Sequence, residues 1–358
     1  MGINKMGINK SNYIEWIDVA KGIGIILVIA GHTFCLSLSY PLYTFHLPLF
    51  FLLSGLVFNE IKYQDSCLLL RTKAKQILLP WFIMATLSFM VCLCLPEWRQ
   101  DLSWKHMLTE LYTTNTNSIQ NSSLWYLICL YVMFVLYSLT CRIKYKKWGG
   151  IFCIVIALLL LFIKAPFQWL SENYLSLPDN RLPFKMDTAL IALVFFLVGL
   201  RFKTTIFTLV SKTYSWIVLL ILFLAVYIAG RLNGWTNLNS FDFGTIPVLF
   251  YPISLCGIYV VSCISVKISS TPICKRLKSI LLFYGRNSLV IFGFQSLFIR
   301  MYLYFFNHLQ GLDMQLYQNY VFYHQIGAFF TVTFIVSPLI VMLYAQIKKL
   351  LDIIDGKN

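Results

Sequence analysis

A chain of 358 residues that is 59% hydrophobic, 17% aromatic and only 12% charged, with a mean hydropathy of +0.73, has too few charged groups to clothe a soluble globule, where about 25% is usual. Its net charge of +15 invites a nucleic-acid partner. Yet the basic residues stand in short segments flanking apolar runs rather than in one patch, which excludes that class.

Ten apolar runs approach the ~20 residues needed to cross a bilayer: Ile17–Leu38, Tyr43–Phe58, Ile77–Leu95, Leu124–Thr140, Gly149–Ile163, Met186–Leu200, Trp216–Ala229, Pro247–Val266, Ile280–Phe298 and Tyr320–Gln346. None alternates apolar and polar residues as a lumen-lined barrel would, and irregular backbone in hydrocarbon would leave amides unpaired. The runs therefore predict an all-α, polytopic integral membrane protein of about ten transmembrane helices. With the N-terminus inside, 22 of the 29 Lys and Arg fall on the inner side, the bias expected of cytoplasmic segments. Both termini are then cytoplasmic. The division is a tail at 1–13, which repeats one pentapeptide as Met1–Lys5 and Met6–Lys10, one transmembrane domain over 14–347, and a tail at 348–358. The first run is too long for a cleavable signal peptide and leads into a second span. Ten cysteines, mostly within the apolar runs and without a CxxC pair or a spaced His, read as small apolar fillers, with no metal site expected.

The first run carries the informative residues. Ionisable groups inside a span are costly and are functional candidates. Lys21 and His32 are eleven residues apart, which at 3.6 residues per turn puts them on one helix face about 16 Å apart. Asp18 lies one turn before Lys21 on the same face. Residue by residue there is a plainer account: a snorkelling Lys, a helix-start Asp and a core His bonded to a carbonyl.

The spacing of Lys21 and His32 resembles the Arg/Lys-x10-His signature of the acyltransferase-3 family of membrane O-acyltransferases. Asp18, Lys21 and Gly22 resemble the opening of its fucose 4-O-acetylase-like branch. Further segments match in order. His46, Pro48, Phe50, Phe51, Ser54 and Gly55 resemble its second helix, and Arg71, Lys73, Lys75 and Pro80 its basic run. Leu124 to Leu127 resemble a Leu-Trp-Phe-Leu element, here with Tyr126 in the third place. Asp187 to Ala189 resemble its mid-chain helix, and Gly285, Asn287, Ser288 and Leu289 a late element. Where the family often has a His seven residues after the Asn-Ser pair, this chain has Gln295, which can hold a hydrogen bond but cannot shuttle a proton.

The resemblance implies transfer of an acyl group, usually acetyl from acetyl-CoA, to a sugar hydroxyl of a surface polysaccharide or lipid-linked glycan, in a bacterial inner membrane. A sugar hydroxyl needs a base to attack a thioester. His32 is expected as base or acyl carrier, with Asp18 and His46 as its catalytic neighbours. Lys21, Arg71, Lys73 and Lys75 would hold the CoA phosphates. Trp125, Asp187, Asn287, Ser288 and Gln295 would hold the acceptor, with Asp187 a candidate partner of His46. Trp98, Trp104 and Tyr112 would give the loop at 96–123 a carbohydrate-friendly surface, while His106, His308 and His324 read as solvated. Expected partners are membrane lipid, acyl-CoA and the glycan acceptor, with no nucleic acid; oligomeric state stays open. The alternative class is a secondary transporter or glycan-translocating protein, although the two halves show no internal repeat.

Overall fold

The computed structural model describes residues 14–34, 36–100, 117–142, 146–162, 181–212, 214–310 and 322–354, together with Leu102, Glu110, Thr114 and Asn173. A backbone surrounded by lipid must satisfy its own amides, and the described residues are almost wholly helical. In order they form α1 (Glu15–Thr33), α2 (Leu36–Tyr43), α3 (His46–Leu56), α4 (Ser66–Lys73), α5 (Leu79–Cys94), α6 (Pro96–Gln100), α7 (Trp125–Arg142) and α8 (Lys146–Phe162). There follow α9 (Met186–Arg201), α10 (Lys203–Val210), α11 (Trp216–Asn233), α12 (Phe250–Ser270), α13 (Lys275–Arg286), α14 (Ser288–Gln310), α15 (Phe322–Phe330) and α16 (Ser337–Ile354). The sole sheet among the described residues is a hairpin of β1 (Thr236–Asn237) and β2 (Asp242–Phe243), antiparallel with Thr236 opposite Phe243.

Among the described residues, eight segments are long and apolar enough to cross a membrane: Glu15–Thr33, Ser66–Cys94, Ser122–Thr140, Pro183–Arg201, Trp216–Asn233, Pro247–Ser270, Ser288–Phe306 and Gln325–Ile347. The other two expected runs form shorter helices, Pro41–Leu56 and Lys146–Phe162. The chain is thus a multi-pass membrane protein. One boundary is corrected. The ninth run, expected from Ile280, is broken at Asn287, and its span begins at Ser288. Lys275, Arg276, Lys278 and Arg286 make α13 a separate amphipathic helix, with Leu281, Tyr284 and Gly285 buried and Leu277 exposed. The last span ends at Ile347, and its helix continues to Ile354.

Ser66–Cys94 and Phe322–Ile354 each contain a π turn, at Ala74–Leu78 and Thr331–Val336. In each a proline, Pro80 or Pro338, follows two residues later. Proline has no N–H for the carbonyls behind it and its ring crowds residue i−4; a widened turn relieves the crowding. Side chains take up carbonyls there. The Tyr284 hydroxyl donates to the Thr333 carbonyl at 2.5 Å, and Ser337 to Val332 at 2.7 Å.

Helix α1 is the hub, packed on α3, α12, α13 and α14, and α9 is a second hub against α3, α7 and α8. Small residues allow the closest approaches. A β-carbon on Gly22 would overlap the Leu281 carbonyl, and one on Gly285 the Asp18 carbonyl. Gly55 and Gly199 interlock in the same way between α3 and α9. Lys278 pairs with Glu15 at 3.0 Å and adds an ion pair to the same contact between α1 and α13. At the lipid face, 72% of Pro183–Arg201 is buried against 22% of Trp216–Asn233, so α9 is central and α11 peripheral. The outward residues of α11 before its last turn, among them Ile217, Leu220, Ile221 and Ile228, are apolar, and Arg231 is exposed at its end. We expect Gly285→Leu to drive α1 from α13 and sharply lower the yield of monodisperse protein on size-exclusion chromatography. A normal yield and melting temperature would show that the contact is dispensable.

Segments that the Lys/Arg count places on one side also meet in space. At the basic end Arg201 pairs with Glu60 at 3.2 Å and Lys267 donates to the Tyr214 carbonyl. At the opposite end Thr44 bonds Thr236 at 2.9 Å, and Arg300 donates to Gln120 at 2.5 Å.

Candidate active site

A cavity of about 400 Å³ opens at the basic end between α1, α3, α7 and the α13–α14 break. Its mouth is charged. Asp18 accepts from Lys21 at 3.1 Å, as the sequence anticipates, and Arg286 stands 3.9 Å from the other Asp18 oxygen. Lys21 and Arg286 are 27% and 58% exposed, so both cations remain available to an anion from solvent. The break that creates this geometry is built by Asn287, whose amide donates back to the Phe283 carbonyl at 2.8 Å. Asn287 ends α13, and its own carbonyl accepts from Val290 and Ile291 to start α14. Asn287 therefore serves as the corner, while Ser288 lines the cavity together with Ser54. The Ser54 hydroxyl donates to the Phe50 carbonyl at 2.8 Å.

Deeper, the cavity-lining stripes point at three polar side chains that do not line it. On α3, Ser54 and Phe50 are followed one turn on by His46; on α14, Ser288, Leu289 and Phe292 lead to Gln295; on α1, Asp18 and Lys21 lead to His32. His32 is half-buried and has company. Its Nδ1 lies 3.1 Å from the Tyr43 hydroxyl, which also reaches the Gly31 carbonyl at 3.2 Å. The Tyr43 ring stands edge-on to both His32 and His46, at 5.6 and 4.9 Å between centroids. His46 bonds the Leu42 carbonyl through Nδ1 at 2.5 Å, and its Nε2 is buried without a partner among the described residues. The Gln295 amide is likewise buried with both of its polar atoms unpaired. A buried polar atom without a bond costs about 1–3 kcal/mol, and His46, which shares the Tyr43 ring with His32, carries one such atom.

Other expected site residues lie elsewhere. Arg71 and Lys75 are exposed on α4 and the π turn that continues it, and Lys73 sits over the Phe134 and Tyr63 rings at 4.6 and 5.4 Å. None of the three lines the cavity; Arg286 takes the place expected of them. Trp125 is buried edge-on to Tyr126 rather than open to a sugar. Asp187 does not pair with His46. Arg181, nearer and bidentate, holds it through Nε at 2.5 Å and Nη2 at 2.9 Å, and also reaches Thr188 and the Asn239 carbonyl. Trp98, expected at a loop surface, is buried against Tyr304. Trp104, His106 and Tyr112 lie outside the described residues, as do the side chains of His308 and His324. No group of His, Cys, Asp or Glu among the described residues is arranged to hold a metal.

Sequence reasoning missed Tyr43, Arg181 and Arg286 as site or support residues. Arg286 stood inside the Gly285–Leu289 element and was visible there as a cation beside two polar residues. Tyr43 carried no signal beyond starting an apolar run.

Neither a curated protein nor a solved structure matches the chain. The acyltransferase-3 family model, an acyltransferase domain, matches residues 14–344. That span takes in α1, the cavity and the His32 cluster alike, and the chain belongs to this family of membrane acyltransferases.

Proposed function

We propose that this acyltransferase moves an acetyl group from acetyl-CoA to a sugar hydroxyl of a surface polysaccharide or lipid-linked glycan, in a bacterial inner membrane with its basic end in the cytoplasm. The observation that carries the reading is one stripe of α1 that joins a cationic cavity mouth to an imidazole bonded to Tyr43, whose ring also meets His46 with its unpaired Nε2. CoA is polyanionic, and Lys21 and Arg286 at the mouth offer its phosphates a point charge and a planar fork. The distance from Lys21 to His32, about 16 Å by helix rise, suits the extended arm that carries the thioester.

In this reading the Tyr43 hydroxyl gives its one proton to the Gly31 carbonyl, which can only accept. Its oxygen then accepts the Nδ1–H of His32, leaving Nε2 as the base. His32 removes the proton of the acceptor hydroxyl as that oxygen attacks the thioester carbon. The C–S bond then breaks, and the CoA thiolate recovers the proton from the imidazolium. Gln295 donates to the carbonyl oxygen as it gains charge, and the unpaired Nε2 of His46 orients the acceptor. The acceptor approaches from the opposite end, where Gln120, Asn121, Ser122, Ser296 and Arg300 form a polar seam.

Two outcomes test this. Lys21→Gln should raise the KM for acetyl-CoA by about tenfold, the worth of one charge-assisted contact, with little change in kcat; an unchanged KM would remove Lys21 from donor binding. Tyr43→Phe should lower kcat by about 10–100-fold by releasing the His32 tautomer, while donor KM stays constant. Full activity in Tyr43→Phe would show that the tautomer is held by other means.

A further inference from the structure

The cavity stops short of His32 because three aromatic rings from three helices meet across its inner part. Phe50 of α3, Tyr126 of α7 and Phe292 of α14 all line it. Tyr126 and Phe292 are in contact, with centroids 4.7 Å apart, and Phe50 stands edge-on to Tyr126 at 6.4 Å. On α3 and α14 these rings sit one turn before His46 and Gln295 respectively, so they lie between the cation-rimmed mouth and the buried polar cluster. Tyr126 is braced from behind by Phe51 at 5.0 Å and Trp125 at 6.1 Å, which leaves it little freedom. Its hydroxyl has no hydrogen-bond partner among the described residues. Phe50 is held differently. Its ring rests over Gly24, where an added β-carbon would lie 3.1 Å from two of its ring carbons and 2.9 Å from Leu49 Cδ2. Gly24 is thus a notch in α1 that draws Phe50 aside.

We propose that Phe50, Tyr126 and Phe292 form the aperture through which the acyl thioester reaches His32. The notch at Gly24 sets how far Phe50 can withdraw and so the length of acyl group accepted. A two-carbon acyl group on its thioester passes when Phe50 withdraws, whereas a longer chain must hold the rings apart against their own contacts. The Tyr126 hydroxyl is the polar atom at this level and suits an amide of the donor's arm. The inference rests on the acyl-CoA reading above and refines it.

The test uses the full chain in lipid nanodiscs with acetyl-, butyryl- and hexanoyl-CoA, following both equilibrium binding by calorimetry and release of the CoA thiol. Wild type should prefer acetyl over hexanoyl by about 100-fold, in the range that small apolar differences give. Phe50→Leu and Phe292→Ala should each shrink that preference at least ~10-fold with CoA itself bound as before. Gly24→Ala, which pushes Phe50 inward, should slow acetyl transfer while CoA binding is retained. Phe50→Leu keeps the site apolar and guards against simple misfolding of the larger truncation. If the variants bind CoA normally and keep the wild-type preference, the aperture is wrong and the donor reading stands. If wild type binds no acyl-CoA of any length, the donor reading fails and the aperture with it.

Discussion

His32→Ala should cut acyl transfer by about 10²–10⁴-fold, the usual contribution of a positioned general base, at unchanged levels of membrane protein. NMR of the O-acetyl content of purified surface polysaccharide reads this in cells when strains with the gene deleted, restored, and restored as His32→Ala are compared. In purified protein the loss should fall on kcat, because the cationic mouth proposed to hold the donor is separated from His32 by the aromatic rings. Retention of acyl transfer in His32→Ala would move the chemistry to His46, the imidazole on the other side of the Tyr43 ring. Acetylation identical in all three strains would show that this glycan is not the acceptor.

The second large effect belongs to Asp187. Its carboxylate is fully buried and bound by Arg181 through two nitrogens, with further support from the Thr188 N–H at 2.7 Å. Removing one member of a buried ion pair leaves an uncompensated charge and costs about 3–5 kcal/mol. Asp187→Ala and Arg181→Ala should therefore each lower the melting temperature strongly in detergent, as followed by fluorescence-detected size-exclusion chromatography. The double variant Arg181→Met/Asp187→Leu should recover much of the loss, since a well-packed apolar pair can replace a buried ionic one. Acyl transfer in the single variants should track the amount of folded protein. A raised acceptor KM in protein that remains folded would instead return Asp187 to substrate binding. Lys185 shares this structural lock, donating to the same Asn239 carbonyl at 3.2 Å. The hairpin at 236–243 is clamped to the start of α9 by these two cations.

The helices were legible because run length in lipid is nearly the whole signal: eight of the ten apolar runs gave full spans and two gave shorter helices. The break at Asn287 was not, since hydropathy averages over 18 or so residues and cannot register one side chain that turns back to cap its own helix. The α1 stripe of Asp18, Lys21 and His32 was legible because helical periodicity is local. Tyr43 was invisible as a partner of His32, because it depends on α2 folding back on α1 through an angle that no spacing encodes. Asp187 was read as a site residue because Asp187 to Ala189 resemble the family's mid-chain helix. Its Arg181 partner lies six residues upstream, in a segment with no periodic pattern, and looked like one more outer-side cation. Trp98 illustrates the reverse error. A polar neighbourhood in sequence suggested a surface, yet the short helix carrying it tucks the indole beneath α14.

The interlock of Gly22 with Gly285 also dictates an order of assembly. Helix α1 emerges from the ribosome before α13 and carries Asp18, Lys21 and His32, but the other cation of the mouth and one ring of its floor come from Arg286 and Phe292, more than 250 positions later. Until α13 arrives, the flat glycine strip of α1 has no backbone to close upon, and Asp18 and Lys21 face a half-built bundle. Multi-helix chains tend to organise from the N-terminus during synthesis, so α1 must either wait at the insertion machinery or be held by a provisional neighbour. The cation-rimmed cavity is thus withheld until α13 has been delivered to the bilayer, and a chain cut short before α13 would insert without completing it.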